Sequence, residues 1–513
     1  MEKTTGALAS QQGGGLTAYV FAAAVIAAQA GLIFGYDLGI TGGVTSFSSF
    51  ESKFFPEVLG KERSGQGVTY CQYDNQALQL FTSSLYLAGI FSTLVGGYTS
   101  RRLGRKLTIS IAGACFIIGI TLCAAAVQIS MLIVGRIIIG LGVGFGNQAV
   151  PVFLSEMGPP RLRGALNNMF QLATSCGILL AQLVNYAVRN LGPYQWRVSL
   201  AIAGAPALLL FFGMLLVPDT PNSLAERGRP DQARKVLERI RGTSQVDTEM
   251  KSIVAAVEKG NKAGNAWRLL FSKGFRPGLV ISISVAFFSQ INGINAILFF
   301  APIIFKSLGN GQSMSLLGAV AIGAAMVLGT LVAITIVDRC GRRTLLIAGG
   351  IQMCLAEVAV GILLAAGLNG GSLSEGLGVA VIVMFCLFAL GFAWSWGPMA
   401  WLLPSEVQPL ETRSVGQSFA TAVNFLVAFI IGQSFLSTLC AMRWGAFIFY
   451  AAFVAIAVAV AVLFIPETKG VPIEAMSEVW ESHWLWRRLH RQAACMERVS
   501  TDPSGDLLAS PGA

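Results

Sequence analysis

Charged residues are scarce in this sequence. They make up 12% of the 513 residues, which is about half the share found in soluble proteins. The mean hydropathy is +0.65, so the chain carries more apolar surface than a water-soluble core can bury. This composition excludes an ordinary soluble domain and indicates an integral membrane protein.

Histidine is also nearly absent, because His483 and His490 are the only two. The nine cysteines show no metal-ligand spacing, and no nucleophile–base pattern is visible. Four glycines alternate between Gly140 and Gly146, but they lie in an apolar run, where glycines indicate close helix packing. We therefore predict no enzyme activity, no catalytic residue, no cofactor and no metal site.

Long apolar runs are abundant. A bilayer-spanning helix needs about 20 predominantly apolar residues, and such runs recur along the whole chain. The sequence predicts an all-α membrane protein with about twelve spans, at 17–43, 77–99, 107–127, 131–154, 166–187, 197–217, 277–305, 314–337, 344–366, 377–403, 414–437 and 443–465.

The basic residues are distributed unevenly. The net charge is +10, from 36 Lys and Arg against 26 Asp and Glu. With a cytosolic N-terminus, the cytosolic segments would hold 28 of the 36 and the outer loops only seven. This asymmetry follows the positive-inside rule and places both termini in the cytosol. The basic bias thus reports topology and lipid contact, and it predicts no nucleic-acid partner.

The longest break between runs separates six predicted spans from six, and charged motifs recur in the same order in both halves. Parallel halves of this kind are a transporter architecture with the substrate near the membrane midplane. The recurring motifs are Arg101–Lys106 and Asp338–Arg343, Leu154–Glu156 and Pro404–Glu406, and Pro218–Thr220 and Pro466–Thr468. Candidate gating residues at the cytosolic end are Arg102, Arg105, Glu156, Arg163, Asp338, Arg339, Arg342, Glu406 and Arg413.

The predicted organisation has five parts. These parts are a cytosolic N-terminus at 1–16, a six-helix bundle at 17–217 with an extracellular cap loop at 44–76, a cytosolic helical linker at 218–276, a second six-helix bundle at 277–465 and a cytosolic tail at 466–513. The phenylalanine spacing of the cap loop predicts short helices over the outer mouth. The segment Asp231–Ile240 of the linker is predicted to be an amphipathic helix.

Several motifs carry a family resemblance. The two arginine-rich loops, Pro-Glu-Thr-Lys-Gly at 466–470 and Gly-Phe-Ala-Trp-Ser-Trp-Gly-Pro at 391–398 resemble the sugar porters of the major facilitator superfamily. The segments 35–43 and 70–75 are similar to those of hexose–proton symporters of green algae and plants. The resemblance implies the major facilitator fold, with twelve transmembrane helices in two pseudo-symmetric halves. It also implies symport of a glucose-like monosaccharide with a proton, in the plasma membrane.

Two opposite charges lie inside apolar runs, Asp37 in the first and Arg136 in the fourth. A charge at the bilayer centre costs about 2.5–3.5 kcal/mol, so each needs a partner or a role. Both lie roughly 8–9 Å below the predicted outer boundary, so they can meet. Burial favours a neutral Asp37 and a close guanidinium favours an ionised one, which suits proton coupling. A structural salt bridge is the alternative, although the resemblance supports coupling, since proton-coupled members have Asp here and animal glucose facilitators have Asn.

A hexose calls for amide side chains around its hydroxyl groups and an aromatic wall against its C–H faces. The resemblance implies a binding site formed by Phe34, Leu38, Gln171, Gln290, Asn295, Trp401 and Asn424. For any one amide, hydrogen bonding between helices is the alternative. The chain departs from the family motif at Ser289, Asn292 and Met326, where Gln, Thr or Ser, and Asn are usual. We include Ser289 and Asn292 in the predicted site and expect the departures to affect substrate preference.

Two cysteines, Cys71 and Cys440, fall in predicted outer loops, where an oxidising environment lets a disulfide persist. The algal and plant family is consistent with a bridge between them, which would tie the cap loop to the second half. Two free thiols are the alternative. For the function as a whole, an uncoupled hexose uniporter and a non-transporting sugar sensor are the alternatives to symport.

Overall fold

The structure is a computed structural model. It describes residues 17–64, 71, 73–159, 163–262, 266–272, 274–307, 311–368, 375–408, 411–469 and 476–487. Within these residues every regular element is a helix, and twelve segments are long and apolar enough to cross a membrane. The predicted number of spans is confirmed.

The first six spans precede the linker. In chain order their helices are Ala18–Thr45, Gln76–Arg102, Arg105–Ala124, Ile129–Met157, Arg163–Val188 and, for the sixth span, the pair Gln195–Ile202 and Gly204–Leu216. A Cβ atom at Gly142 in the fourth span would lie only 3.0 Å from the carbonyl oxygen of Ala112 in the third. The glycine-rich run therefore serves close helix packing, as predicted.

The last six spans follow the linker, and two of them are broken. The seventh consists of Arg276–Ile291 and Ile294–Ser307, and the tenth of Glu375–Trp394 and Trp396–Val407. The unbroken helices are Gln312–Cys340, Arg342–Leu368, Arg413–Met442 and Gly445–Phe464. Gly293, with φ +85°, lies at the break in the seventh span, a conformation that glycine adopts without a steric penalty.

The packing of the spans repeats between the halves. The first span packs on the fifth as the seventh packs on the eleventh, and the third packs on the sixth as the ninth packs on the twelfth. The second and fourth spans pair in the same way as the eighth and tenth. Between the halves, the second span contacts the eleventh and the fifth contacts the eighth. This pattern is the predicted pseudo-symmetry of two six-helix bundles.

Large apolar side chains cover the outside of the bundle. Phe91 is 67% exposed, Leu216 84% and Leu355 66%. So many exposed apolar side chains would be unfavourable in water, and they suit contact with hydrocarbon. The protein is therefore a multi-pass membrane protein.

Two short helices, Ser48–Phe54 and Pro56–Ser64, follow the first span, as the phenylalanine spacing predicts. Phe50 packs against Phe81 and Trp196, with ring centroids 5.3 and 5.9 Å apart. Cys71 and Cys440 form a disulfide with Cα atoms 4.8 Å apart, so the predicted bridge is confirmed. We call this end of the bundle the cap end.

The opposite end, which we call the linker end, carries the helices between the sixth and seventh spans. They are Pro221–Glu226, Pro230–Arg241, Asp247–Lys262 and Ala266–Leu270. The second of them confirms the predicted amphipathic helix, since Ala233, Leu237 and Ile240 are buried. Beyond the twelfth span, the helix Met476–Ser482 is followed by Trp486, whose indole N–H donates to the Phe464 carbonyl at 2.8 Å.

Candidate functional site

A cavity lies between the two halves. Spans of both halves contribute to its wall, and most of its lining comes from the second half. The lining residues are Phe34, Leu38, Tyr86, Gln171, Thr174, Ile178, Gln290, Ile294, Asn295, Leu298, Met326, Phe392, Gly397, Ala400, Trp401, Asn424 and Ala428. A concave, largely apolar wall with a few convergent polar groups is typical of a small-molecule site.

Seven of the nine residues predicted for sugar binding line this cavity, namely Phe34, Leu38, Gln171, Gln290, Asn295, Trp401 and Asn424. They come from five different spans and lie up to about 390 positions apart in the sequence. The fold therefore brings together most of the set that the family resemblance implies. Their role in binding stays a prediction.

The amides in the wall hold one another in place. Asn295 donates through Nδ2 to the Gln290 side-chain oxygen, and these two residues lie on opposite sides of the break in the seventh span. From the first half, Gln171 reaches toward the tenth span, where a Cβ atom at Gly397 would lie 3.3 Å from its Nε2. Amide groups both donate and accept hydrogen bonds, so they can exchange such bonds for bonds to the hydroxyl groups of a sugar ring.

Aromatic rings close the wall. Phe34 meets Phe425 edge to face at 6.1 Å, and Phe170 meets Trp401 at 5.6 Å. Trp401 lines the cavity and is only 8% exposed. A fixed indole of this kind offers the apolar face that the C–H side of a sugar ring requires.

Two residues of the predicted site lie behind the wall. Ser289 is fully buried and accepts a hydrogen bond from Asn424 Nδ2 at 3.2 Å. Asn292 lies at the helix break, where its side-chain oxygen accepts the backbone N–H of Ile294 at 3.0 Å. The structure therefore places both where they support lining residues. Met326, in contrast, does line the cavity.

Two polar lining residues, Tyr86 and Thr174, were not predicted from the sequence. Tyr86 contacts the rings of Phe299 and Phe425 at 5.8 and 6.0 Å, so it joins the second span to the seventh and eleventh. A hydroxyl group inside an apolar run was the available signal. It was a weak one, because such hydroxyls also bond to their own helix, as Thr174 does with the Phe170 carbonyl.

The predicted charge pair is present. Arg136 donates through Nη1 to the carboxylate of Asp37, and both side chains are buried. The rest of the guanidinium is held by Thr41 Oγ1 at 3.0 Å and by the Phe81 carbonyl at 3.1 Å. Its charge is therefore fixed in place, while Asp37 is held mainly by this one partner.

The charge pair lies beside the cavity. Phe34 and Leu38, which flank Asp37 within one helical turn, line the cavity itself. On its other side, Asp37 borders a second, smaller space with Tyr36 and Cys123 in its wall. A ligand that displaces the first span would thus act close to the carboxyl group of Asp37.

The charge motifs form two clusters at the linker end. In the first half, Arg105 pairs with Glu156 at 2.9 Å and with Glu226 of the linker at 2.5 Å. In the second half, Arg342 pairs with Glu406 at 2.8 Å, and its backbone N–H donates to Glu467 at 2.9 Å. Glu226 and Glu467 lie outside the predicted set.

Arg102 and Arg339, among the other predicted gating residues, make different contacts. Arg102 is exposed and lies over the ring of Tyr98, and Arg339 is exposed with its carbonyl bound by Lys469 Nζ at 2.6 Å. Arg413 begins the eleventh span and is half-buried. The side chains of Arg163 and Asp338 lie outside the described residues.

Known proteins resemble this chain over most of its length. The family model described as "Sugar (and other) transporter" matches residues 23–480. The chain is 50% identical over 476 residues to Sugar transport protein MST4 of Oryza sativa subsp. japonica, covering 92% of each chain. It is 48% identical over 495 residues to H(+)/hexose cotransporter 2 of Parachlorella kessleri, covering 95% of this chain and 92% of that one.

A solved structure has the same architecture. The major facilitator superfamily proton:xylose symporter XylE, bound to 6-bromo-6-deoxy-D-glucose, superposes with a TM-score of 0.78 at 28% identity. The match covers 90% of this chain and 99% of that one. The predicted major facilitator fold is thereby confirmed. By its family model and by relatives about half identical over nearly its whole length, the chain belongs to the sugar transporter family.

Proposed function

We propose that this protein is a symporter that carries a hexose and a proton together across the membrane. The observation that carries the proposal is the position of the Asp37–Arg136 pair, one helical turn from side chains that line the cavity. The named activities of the cotransporter from Parachlorella kessleri and of XylE support the same pair of substrates.

In this proposal the amides of the cavity bind the ring hydroxyls and Trp401 packs on the ring. Gln171 approaches from the first half, whereas Gln290, Asn295 and Asn424 approach from the second. A sugar held by both halves favours the state in which they lie close together. Alternating access then follows as the halves rock about the bound sugar.

Coupling operates through the distance between Asp37 and Arg136. If movement of the first span draws the carboxylate from its guanidinium, a buried charge is left unpaired, and taking up a proton removes this penalty. When the carboxylate returns to Arg136, its ionised form is favoured again and the proton leaves. Because coupling is reciprocal, proton uptake strengthens sugar binding to the same extent.

We place the cap end outside the cell and the linker end, with both termini, in the cytosol, and we assign the protein to the plasma membrane. The positive-inside distribution of Lys and Arg supports this orientation. The disulfide supports it too, because such bonds persist in oxidising surroundings. We assign no enzymatic activity, since transport requires no covalent chemistry.

The two ion-pair clusters then stabilise the closed state of the cytosolic side. Arg105 joins two spans and the linker through Glu156 and Glu226, while Arg342 and Glu406 join the ninth and tenth spans. Opening this end separates or rearranges these pairs, and it is unfavourable to leave the buried guanidinium groups of Arg105 and Arg342 without their partners. The clusters thus favour the closed cytosolic side until the sugar is bound.

The test is uptake of labelled hexose into proteoliposomes with an imposed pH gradient, acidic outside. We expect accumulation above the external concentration and its collapse when a protonophore is added. Equilibration without accumulation at any gradient would identify a uniporter, and binding without any uptake would identify a sensor. A panel of hexoses and pentoses in the same assay identifies the preferred substrate.

A further inference from the structure

A second acidic side chain lies deep in the bundle and has no part in the mechanism above. Glu357 is in the middle of the ninth span and is 1% exposed. Among the described residues, neither oxygen of its carboxyl group has a hydrogen-bond partner. An ionised carboxylate left unsolvated and unpaired is very unfavourable, so in this conformation the group carries a proton.

The carboxyl group points at the break in the seventh span. A Cβ atom at Gly293 would lie 3.0 Å from Glu357 Oε1 and 3.0 Å from Cγ of Tyr450. The helix Ile294–Ser307 begins directly after this glycine. The carboxyl group therefore faces both the hinge-like glycine and the positive end of a 14-residue helix.

A hydrogen-bond donor at the same break is also unused. Asn292 is 2% exposed, and among the described residues its Nδ2 has no partner, although its oxygen caps the following helix. Two complementary groups without partners thus lie at the break, since Asn292 precedes Gly293 in the chain and Glu357 faces Gly293 from the ninth span. A modest change of backbone conformation at the break would bring the amide to an ionised Glu357, which would stabilise the charge.

Few other titratable groups face this region. The seventh, eighth, tenth and twelfth spans surround Glu357. Their titratable side chains are Arg276 and Lys306 at the ends of the seventh, Asp338, Arg339 and Cys340 at the end of the eighth, Glu375, Cys386 and Glu406 in the tenth, and Tyr450 in the twelfth. On its own helix, Cys354 is one turn away, and Arg342 and Arg343 lie about 22 Å distant. No cation in the described structure neutralises the group.

We propose that Glu357 is a second proton-binding site, which sets the conformation of the break in the seventh span and thereby the affinity for sugar. The inference rests on the proposed function only in that the cavity binds sugar. Gln290 and Asn295 flank the break and hydrogen-bond across it, so a rearrangement at Asn292 and Gly293 moves two lining amides. The neutral acid maintains the arrangement seen here. Loss of its proton to water draws Asn292 toward the carboxylate and weakens sugar binding.

The test uses Asp37→Asn protein, in which the coupling site no longer titrates, so that the remaining pH dependence of sugar binding can be assigned to Glu357. Binding of labelled D-glucose to purified protein is measured from pH 5.5 to 8. We expect the affinity of Asp37→Asn protein to fall by about fivefold or more as the pH rises, and to stay constant in Asp37→Asn/Glu357→Gln protein. The same pH dependence in both, or none in Asp37→Asn alone, overturns the proposal.

An infrared measurement gives an independent readout. The C=O band of a protonated carboxylic acid should be present in Asp37→Asn protein at neutral pH and absent after Glu357→Gln, with both proteins monodisperse. A band that survives Glu357→Gln contradicts the assignment. If no sugar in the panel binds to the wild-type protein at any pH, the proposed function fails, whereas the infrared band still decides whether Glu357 holds a proton.

Discussion

The first and seventh spans occupy equivalent places in the two halves, but they are built differently. The first is one continuous helix of 28 residues that carries Asp37. The seventh is broken at Asn292 and Gly293, and its break is flanked by Gln290 and Asn295. The fourth span and its equivalent, the tenth, repeat the contrast, since the fourth is continuous and the tenth is interrupted at Ser395.

This difference assigns separate tasks to the halves. The first half holds the charge pair on rigid helices, where a small displacement changes a strong electrostatic interaction. The second half holds most of the cavity on jointed helices, which can adjust around a ligand. Changes at the charge pair of the first half should therefore alter coupling with little effect on sugar binding, and changes in the cavity wall of the second half should do the reverse.

The largest effect is expected from Asp37→Asn. The amide cannot titrate, so accumulation against a gradient should be lost completely, while exchange of labelled for unlabelled hexose continues. The measurement is uptake into proteoliposomes with and without a pH gradient. Asp231→Asn, an exposed change in the linker, is the control and should behave as wild type. Undiminished accumulation in Asp37→Asn protein would remove the charge pair from the mechanism.

The converse change is Asn295→Ala in the second half. It removes an amide from the cavity and leaves Gln290 without its partner, so sugar affinity should fall about tenfold to a hundredfold. The ratio of protons to sugars carried should not change. Binding isotherms and the flux ratio, measured on the same preparation, check both statements. A changed flux ratio with intact affinity would break the division between the halves.

A smaller effect on coupling is expected from a change in the cap loop, which the disulfide ties to the second half. Cys71→Ala opens the only disulfide among the described residues and releases the cap loop above the charge pair. Accumulation should weaken or its pH dependence should shift, with less change in expression. Cys340→Ala, an exposed free cysteine at the linker end, is the matched control. Identical pH profiles for both variants would show that the cap has no part in coupling.

The smallest effect concerns the departures from the family motif. Met326 lines the cavity, so Met326→Asn should alter sugar preference by a few-fold to about tenfold, the value of one hydrogen bond. Ser289 lies behind the wall and supports Asn424, so Ser289→Gln should weaken binding by displacing that amide. Competition by a hexose panel distinguishes the two. A gain in affinity from Ser289→Gln would place residue 289 in the cavity after all.

Features with a long-range chemical requirement were predictable from the sequence. Twelve apolar runs require twelve spans, and a buried charge requires a partner, so the spans and the Asp37–Arg136 pair followed from composition and depth. The breaks at Gly293 and Ser395 did not, because apolar residues continue across them. For the same reason Ser289 and Asn292 were predicted to line the cavity, since their orientation depends on where the helix stops.

The partners that connecting segments supply to Arg105 and Arg342 could not be predicted from the sequence either. Glu226 binds Arg105 from a short linker helix, and Glu467 binds backbone N–H groups at the start of the ninth span. Neither position follows from periodicity, because each depends on how a connecting segment folds back against the bundle. The repeated charge motifs located the two clusters, but the structure was needed to supply these members.

Coupling of sugar and proton transport through the Asp37–Arg136 pair is tested most directly by the ratio of the proton flux to the sugar flux. Hexose is added to proteoliposomes without any imposed gradient, and sugar uptake and the external pH are recorded together. We expect one proton to be taken up for each hexose in the wild-type protein and none in Asp37→Asn protein. Sugar uptake by the wild-type protein with no accompanying rise in external pH would contradict it.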